Sequence, residues 1–159
     1  MRKKTKIISI ACVMALMFSM LSVGMNVQAE ENLPQIDGSY LTQESESIGY
    51  DTKITRGEDL LTGYSKCVKL ANGKLYVGGS TIAAHTVERV GIAVTVERAQ
   101  EGDEEWEGYD GWISFNENAD KISSNRQLDA EGGYYYRVRC THSAGNDMSS
   151  SFTDGIYFE

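Results

Sequence analysis

The sequence predicts an all-β domain, a single antiparallel sandwich of about seven strands. Three observations carry this. Past roughly the first thirty residues, no stretch spaces its apolar side chains at a helical period. Several short runs alternate apolar and polar with a period of two, each bounded by Gly, Asn, Asp or Ser. From Leu61 onward there are about 100 residues, enough for one hydrophobic core.

The chain opens with Arg2, Lys3, Lys4 and Lys6, then an uncharged apolar run from Ile7 to Val23. Val27-Gln28-Ala29 places small residues at the −3 and −1 positions before Glu30. This is the pattern of a secretory signal peptide over residues 1–29, cleaved after Ala29. The run of about 17 residues is at the short limit for spanning a bilayer. Cys12 lies too early for lipid attachment after the apolar run, and no second apolar segment follows. The expectation is an exported protein without an integral membrane segment after cleavage.

Residues 30–60 are rich in acids, Ser, Thr and Gly, with sparse, unperiodic apolar residues and the only proline, Pro34. They read as a flexible acidic leader, the alternative being a strand near Tyr50–Ile54 on the domain edge. Residues 61–159 read as the sandwich domain. Asn72-Gly73 sits between two apolar runs and tolerates the positive φ of a type I′ hairpin. In "VGIAVTVERA", Val90, Ile92, Val94 and Val96 share one face, and Gly91, Ala93, Thr95 and Glu97 the other. A polar turn follows, and Trp106–Phe115 returns as the next strand. Ile122–Leu128 is a short strand, Tyr134–His142 alternates again, and Phe152 with Ile156-Tyr157-Phe158 closes the chain.

Formal net charge is −8; cleavage after Ala29 removes four of the 15 bases and none of the 23 acids, giving −12. So acidic a chain lacks the basic stripe that nucleic acid requires, and anionic lipid is disfavoured for the same reason. Cys67 and Cys140 survive cleavage. In an exported protein they are a possible disulfide, or else two separate buried thiols. No His and Cys cluster with zinc spacing accompanies them, and no cofactor motif occurs.

The run "GGYYYRVRCTHSAG" has Tyr134, Tyr136, Val138, Cys140 and His142 in alternation, then Ala144-Gly145, with Leu128 six residues before Tyr134. This resembles the E–F corner and F strand of fibronectin type III domains. The resemblance implies a fibronectin- or immunoglobulin-like sandwich, with Leu128 and Tyr134 as its structural corner. Ala130 and Gly132 stand where that corner usually has proline and threonine, and the tryptophan usual on the second strand is missing. Over residues 55–156, "TRGEDLLTG", "NGKLYVGGSTIA", "VERVGIAVTVERA" and "GGYYYRVRCTHSAG" followed by "TDGI" resemble an uncharacterised family of small secreted proteins of Gram-positive gut bacteria. That resemblance implies export and one β domain, and adds no chemistry.

Candidate sites are few. His85 and His142 are the only histidines. Cys140 and His142 face one way, about 7 Å apart along a strand; they are a conceivable dyad, or a core position followed by a polar strand end. Gly-x-Ser-x-Gly, phosphate loops and His-Glu-x-x-His are absent from the sequence. Asp103, Glu104, Glu105, Glu107 and Asp110 could offer oxygens to calcium, but their spacing matches no defined loop and reads as a solvated charge run. Trp106, Tyr109 and Trp112 form a possible aromatic platform, with one tryptophan exposed and one buried. Tyr135, Arg137 and Arg139 share the outer face of their strand as a ladder, for an acidic partner or simply for solvent. The function expected is a secreted, non-catalytic module binding an extracellular protein or glycan. A bacteriocin-like effector and a hydrolase with an unrecognised site are the alternatives.

Overall fold

In the computed structural model, which describes residues 33–52 and 57–159, nine strands and no helix are present. They are β1 (Gln35–Ile36), β2 (Ser39–Thr42), β3 (Glu46–Tyr50), β4 (Leu60–Leu70), β5 (Lys74–Ala99), β6 (Glu107–Asp129), β7 (Tyr134–Ala144), β8 (Asp147–Phe152) and β9 (Gly155–Phe158). The expected signal peptide, 1–29, lies outside the described residues. The sheet runs β1-β2-β9-β7-β5-β4-β3, with β6 on β5 and β8 on β7. Pairing is antiparallel except between β2 and β9, which run parallel. The all-β expectation holds. The strands form one mixed, strongly curled sheet, a half-barrel, rather than two clearly separate antiparallel sheets.

The reason lies in two strands longer than their sequence patterns suggest. β5 spans 26 residues and β6 spans 23. Lys74–Ile82 of β5 lies between β4 and β6, and Val90–Ala99 lies between β6 and β7. The register slips between Ile82 and Val87, where β5 has more residues than β6, and Asn118 of β6 takes φ 49°. Extra residues on one strand bend it without ending the ladder. Each of the two runs expected as separate strands therefore turns a corner and continues.

The segment expected as a flexible leader is a second correction. Residues 35–50 carry three strands, paired with one another, with β9 and with β4. Asp37 and Gly38 hold φ 45° and 81° in a two-residue hairpin turn, an Asp-Gly signal present in the sequence. Asn72 and Gly73 also take positive φ, as expected, in a three-residue loop between the paired Leu70 and Lys74.

Period two places the faces correctly. Val90, Ile92, Val94 and Val96 of β5 pack against Val138 and Cys140 of β7 and against Cys67, Leu75 and Val77. The corner between β6 and β7 is fixed by a different tyrosine from the one expected. The Tyr136 hydroxyl accepts from Glu131 N at 2.8 Å and donates to Glu131 O at 3.1 Å. Tyr134 is half-buried, with the Arg98 guanidinium 4.5 Å from its ring, and Leu128 sits opposite Leu75 on β5. Across the curl, Thr52, two residues past β3, makes one isolated bridge to Ser150 of β8. A Cβ on Gly49 would lie 1.7 Å from the Phe152 carbonyl oxygen, so only glycine permits that approach.

Candidate binding surface

The outward side of β5 and β7 gathers most of the residues singled out from the sequence, but uses several to hold the fold. Arg137 is 1% exposed rather than a rung of a solvated ladder. Its Nε donates to Glu97 Oε2 at 2.6 Å, its Nη2 to Asp37 Oδ2 at 2.9 Å, and its Nη1 to the Asp37 carbonyl and Ser39 Oγ at 3.1 and 3.0 Å. Arg139 shares the Asp37 carboxylate through Nη2. The hydrogen bonds from Arg137 and then Arg139 hold the Asp37 carboxyl below its usual range. The β1–β2 hairpin covers Arg137, so the segment expected to be flexible buries the middle of the outer ladder, while 41% of the Arg139 side chain stays exposed. Tyr135 is buried too, its ring 5.0 Å from that of Tyr157.

The aromatic platform is also put to structural use. Trp106 donates Nε1–H to the Ile36 carbonyl at 2.9 Å, and the Arg137 guanidinium lies 4.6 Å from its ring. Trp112 donates to Ser124 Oγ at 2.8 Å, under Arg126 at 4.3 Å. The Tyr109 hydroxyl donates to the Asp129 carbonyl at 2.8 Å. All three are half-buried. The expected pairing of one exposed with one buried tryptophan is not found.

The surface left open lies further along the same face. Gly91 and Ala93 of β5, with Thr141 and Ser143 of β7, form a floor of small residues between Ile113 and Phe115 of β6 and Met148 of β8. Those three walls are 74%, 50% and 58% exposed. Cross-strand register sets them in rows, Phe115–Gly91–Ser143–Met148 and Ile113–Ala93–Thr141–Ser150. The trough holds about 320 Å³, and the Arg89 guanidinium lies 3.7 Å over Phe115. Beyond Arg139, a polar recess of about 420 Å³ is lined by Asp37, Glu97, Glu104, Glu105, Trp106, Arg137 and Arg139. Sequence reasoning missed the trough, although its signal is there. Small residues alternate on the outer face of β5, and Ile113 and Phe115 alternate against Trp112 and Ser114.

The reactive residues are held away from this surface. Thr81 Oγ1 donates to the Gly91 carbonyl at 2.9 Å, so it accepts from His142 Nδ1–H at 2.8 Å. His142 Nε2 then accepts from Ser151 Oγ–H at 2.8 Å. His142 is 0% exposed, and its ring lies against the Gly63 backbone. Burial pulls its pKa down to about 4, partly countered by Asp51. A serine beside a histidine invites a nucleophilic reading, but both side chains are buried. Cys140 does not bond His142; its thiol points at the Gly78 carbonyl, 3.8 Å away. The possible disulfide is not formed: Cys67 and Cys140 are free, buried thiols, each pushed up to about 12 by desolvation. Such thiols are poor nucleophiles. His85 pairs with Asp59 at 3.1 Å on the surface.

Of the five acids with oxygens for calcium, three have other partners, and Glu104 and Glu105 line the polar recess. Asp103 accepts from Gln100 N, Glu107 from Arg98 Nε, and Asp110 lies 3.8 Å from Arg126. Among the described residues no group of three or more His, Cys, Asp or Glu could hold a metal ion. No protein-family model, curated protein or solved structure matches the chain.

Proposed function

We propose that the chain is exported and serves outside the cell as a non-catalytic binding module for another protein. The observation that carries this is the trough, where large apolar side chains stand exposed around a floor of small ones. Such a shape accepts an apolar side chain projecting from an extended partner segment. Exposed apolar groups of this size, brought together, mark interaction surfaces. A protein fits better than a glycan, because both tryptophan rings are covered by arginine and hydrogen-bonded into the fold. On this reading the curled sheet is a fibronectin- or immunoglobulin-like sandwich whose two halves stay joined through the bends of β5 and β6. The signal-like first 29 residues and the strong negative charge support a soluble extracellular setting.

The test uses the immobilised protein and a double variant, Ile113→Lys with Phe115→Lys, exposed to culture medium and to cell-surface proteins. Proteins held by the wild type should drop at least tenfold on the variant, with its thermal unfolding unchanged. Equal retention by both would remove the trough from the account of binding.

A further inference from the structure

We infer that two copies of the chain join edge to edge through β6, running antiparallel about a two-fold axis at Ser114. This goes beyond the partner-binding reading, since it concerns the edge of the sheet rather than its face. Among the described residues β6 pairs with no strand but β5, so its other edge presents a row of backbone donors and acceptors, of which Gly111 N–H is held by Asp110 Oδ1 at 2.8 Å. A long unpaired edge is a template for a second strand. The segment Asp110–Glu117 keeps an unbroken register with β5, so it offers a straight edge. The edge has no proline, and its only lysine, Lys121, lies beyond the bend.

The occupant follows from pairing the strand with itself. With Ser114 opposite its own copy, Ile113 faces Phe115, Trp112 faces Asn116, and Glu117 faces Gly111. Apolar meets apolar twice by symmetry, and no acid faces an acid. Aromatic and β-branched residues directly opposite one another are favourable cross-strand pairs. Keeping both outer faces on the same side allows only shifts of two. A shift one way sets Ile113 against Glu117; the other way sets Phe115 against Gly111. The Ser114 register alone pairs Ile113 with Phe115. Each exposed wall then covers its counterpart, and the two troughs lie on one continuous face.

The contact is small, with about seven residues of each edge, far below a standard interface of roughly 1,600 Å². Association is therefore weak and concentration-dependent. Each copy is strongly acidic, −8 over the whole sequence, so long-range repulsion opposes it. Salt screens that repulsion, over about 10 Å at 0.1 M, while backbone pairing persists. Self-association should thus strengthen with salt, contrary to an interface held by ion pairs.

The mass in solution of the protein purified from an expressing host, without any partner, decides this. The expected result is one-chain mass when dilute, rising towards twice that mass with concentration and with salt. Ser114→Cys should then link to its own copy under mild oxidation, because opposed strand residues lie within disulfide reach. Gln127→Cys, beyond the bend of β6, should not, and the buried Cys67 and Cys140 stay silent. One-chain mass at every concentration overturns the proposal. So does Ser114→Cys linking no faster than Gln127→Cys, or a dimer that survives Phe115→Lys. Because no partner is present, a one-chain mass here leaves the trough reading standing, and a wild type that retains no partner protein leaves the dimer standing.

Discussion

His142 shows what a single buried group does to the pH response. Its neutral ring receives one hydrogen bond and gives another, and burial away from water penalises the charged form. The folded pKa is about 4 against an ordinary 6.5. Above pH 6.5 the imidazole is neutral in both states and its contribution to stability is complete. As pH falls from 6.5 towards 4, the unfolded chain takes up the proton first, so stability drops. Below 4 both states are protonated and the contribution is gone. The full loss is about 3 kcal/mol by linkage. Urea unfolding at pH 7 and pH 4.5 should show the wild type losing about 2–3 kcal/mol more than His142→Gln. Parallel losses in the two proteins would contradict the buried neutral ring. Period two in β7 set His142 on the same face as Cys140, but its polar ring at the strand end concealed that it is fully buried. Its partners were not legible, because Thr81 lies 61 residues away in sequence and Ser151 lies in a strand that pairs with β7.

At the scale of elements, the β1–β2 hairpin is held mainly from outside itself. It contributes Ile36 and Leu41 to a small cluster with Ala99 and Tyr135, with Trp106 against its side. Two ladder pairs join β1 to β2, and two join β2 to β9. So short a hairpin has little independent stability. Trp106→Ala should therefore free it: amide exchange over residues 36–41 should quicken at least tenfold, while β5 and β7 keep their protection. Uniform protection in the variant would show that Arg137 suffices alone. The sequence texture of residues 30–50 looked unstructured because these strands bury few apolar groups. Their anchors are a distant guanidinium and a distant indole, which no local periodicity reveals. β5 and β6 show the reverse: their alternation and inner faces were readable. Their continuity was not, since a bulge and a loop present the same interruption in a one-dimensional pattern.

For the whole molecule, the all-β class and the inner faces of β5 and β7 followed from period two, because alternation and burial are the same physical fact. The curl did not, because it depends on how two long strands bend together. The cysteines illustrate the limit. Separation and expected compartment allowed a bond, but each thiol has its own buried niche in the folded chain. The folded protein should leave Cys67 and Cys140 unreactive to a thiol reagent, and denaturation without reductant should release both. A protein silent after denaturation would instead contain the disulfide.

The joint between β3 and β8 gives this core a door. Most of the curled sheet is stitched by continuous ladders, but here one rung, Thr52 to Ser150, the Ser149 hydroxyl on Asp51 at 2.8 Å and Asp154 N on Ser47 Oγ at 2.9 Å hold the two sides together. Directly inside is Ser151, and against it His142. Parting this joint breaks these three hydrogen bonds, roughly 1 kcal/mol net each, still less than melting a whole strand. Local opening at this joint, rather than melting of the sheet, is the least costly way for water and protons to reach the imidazole.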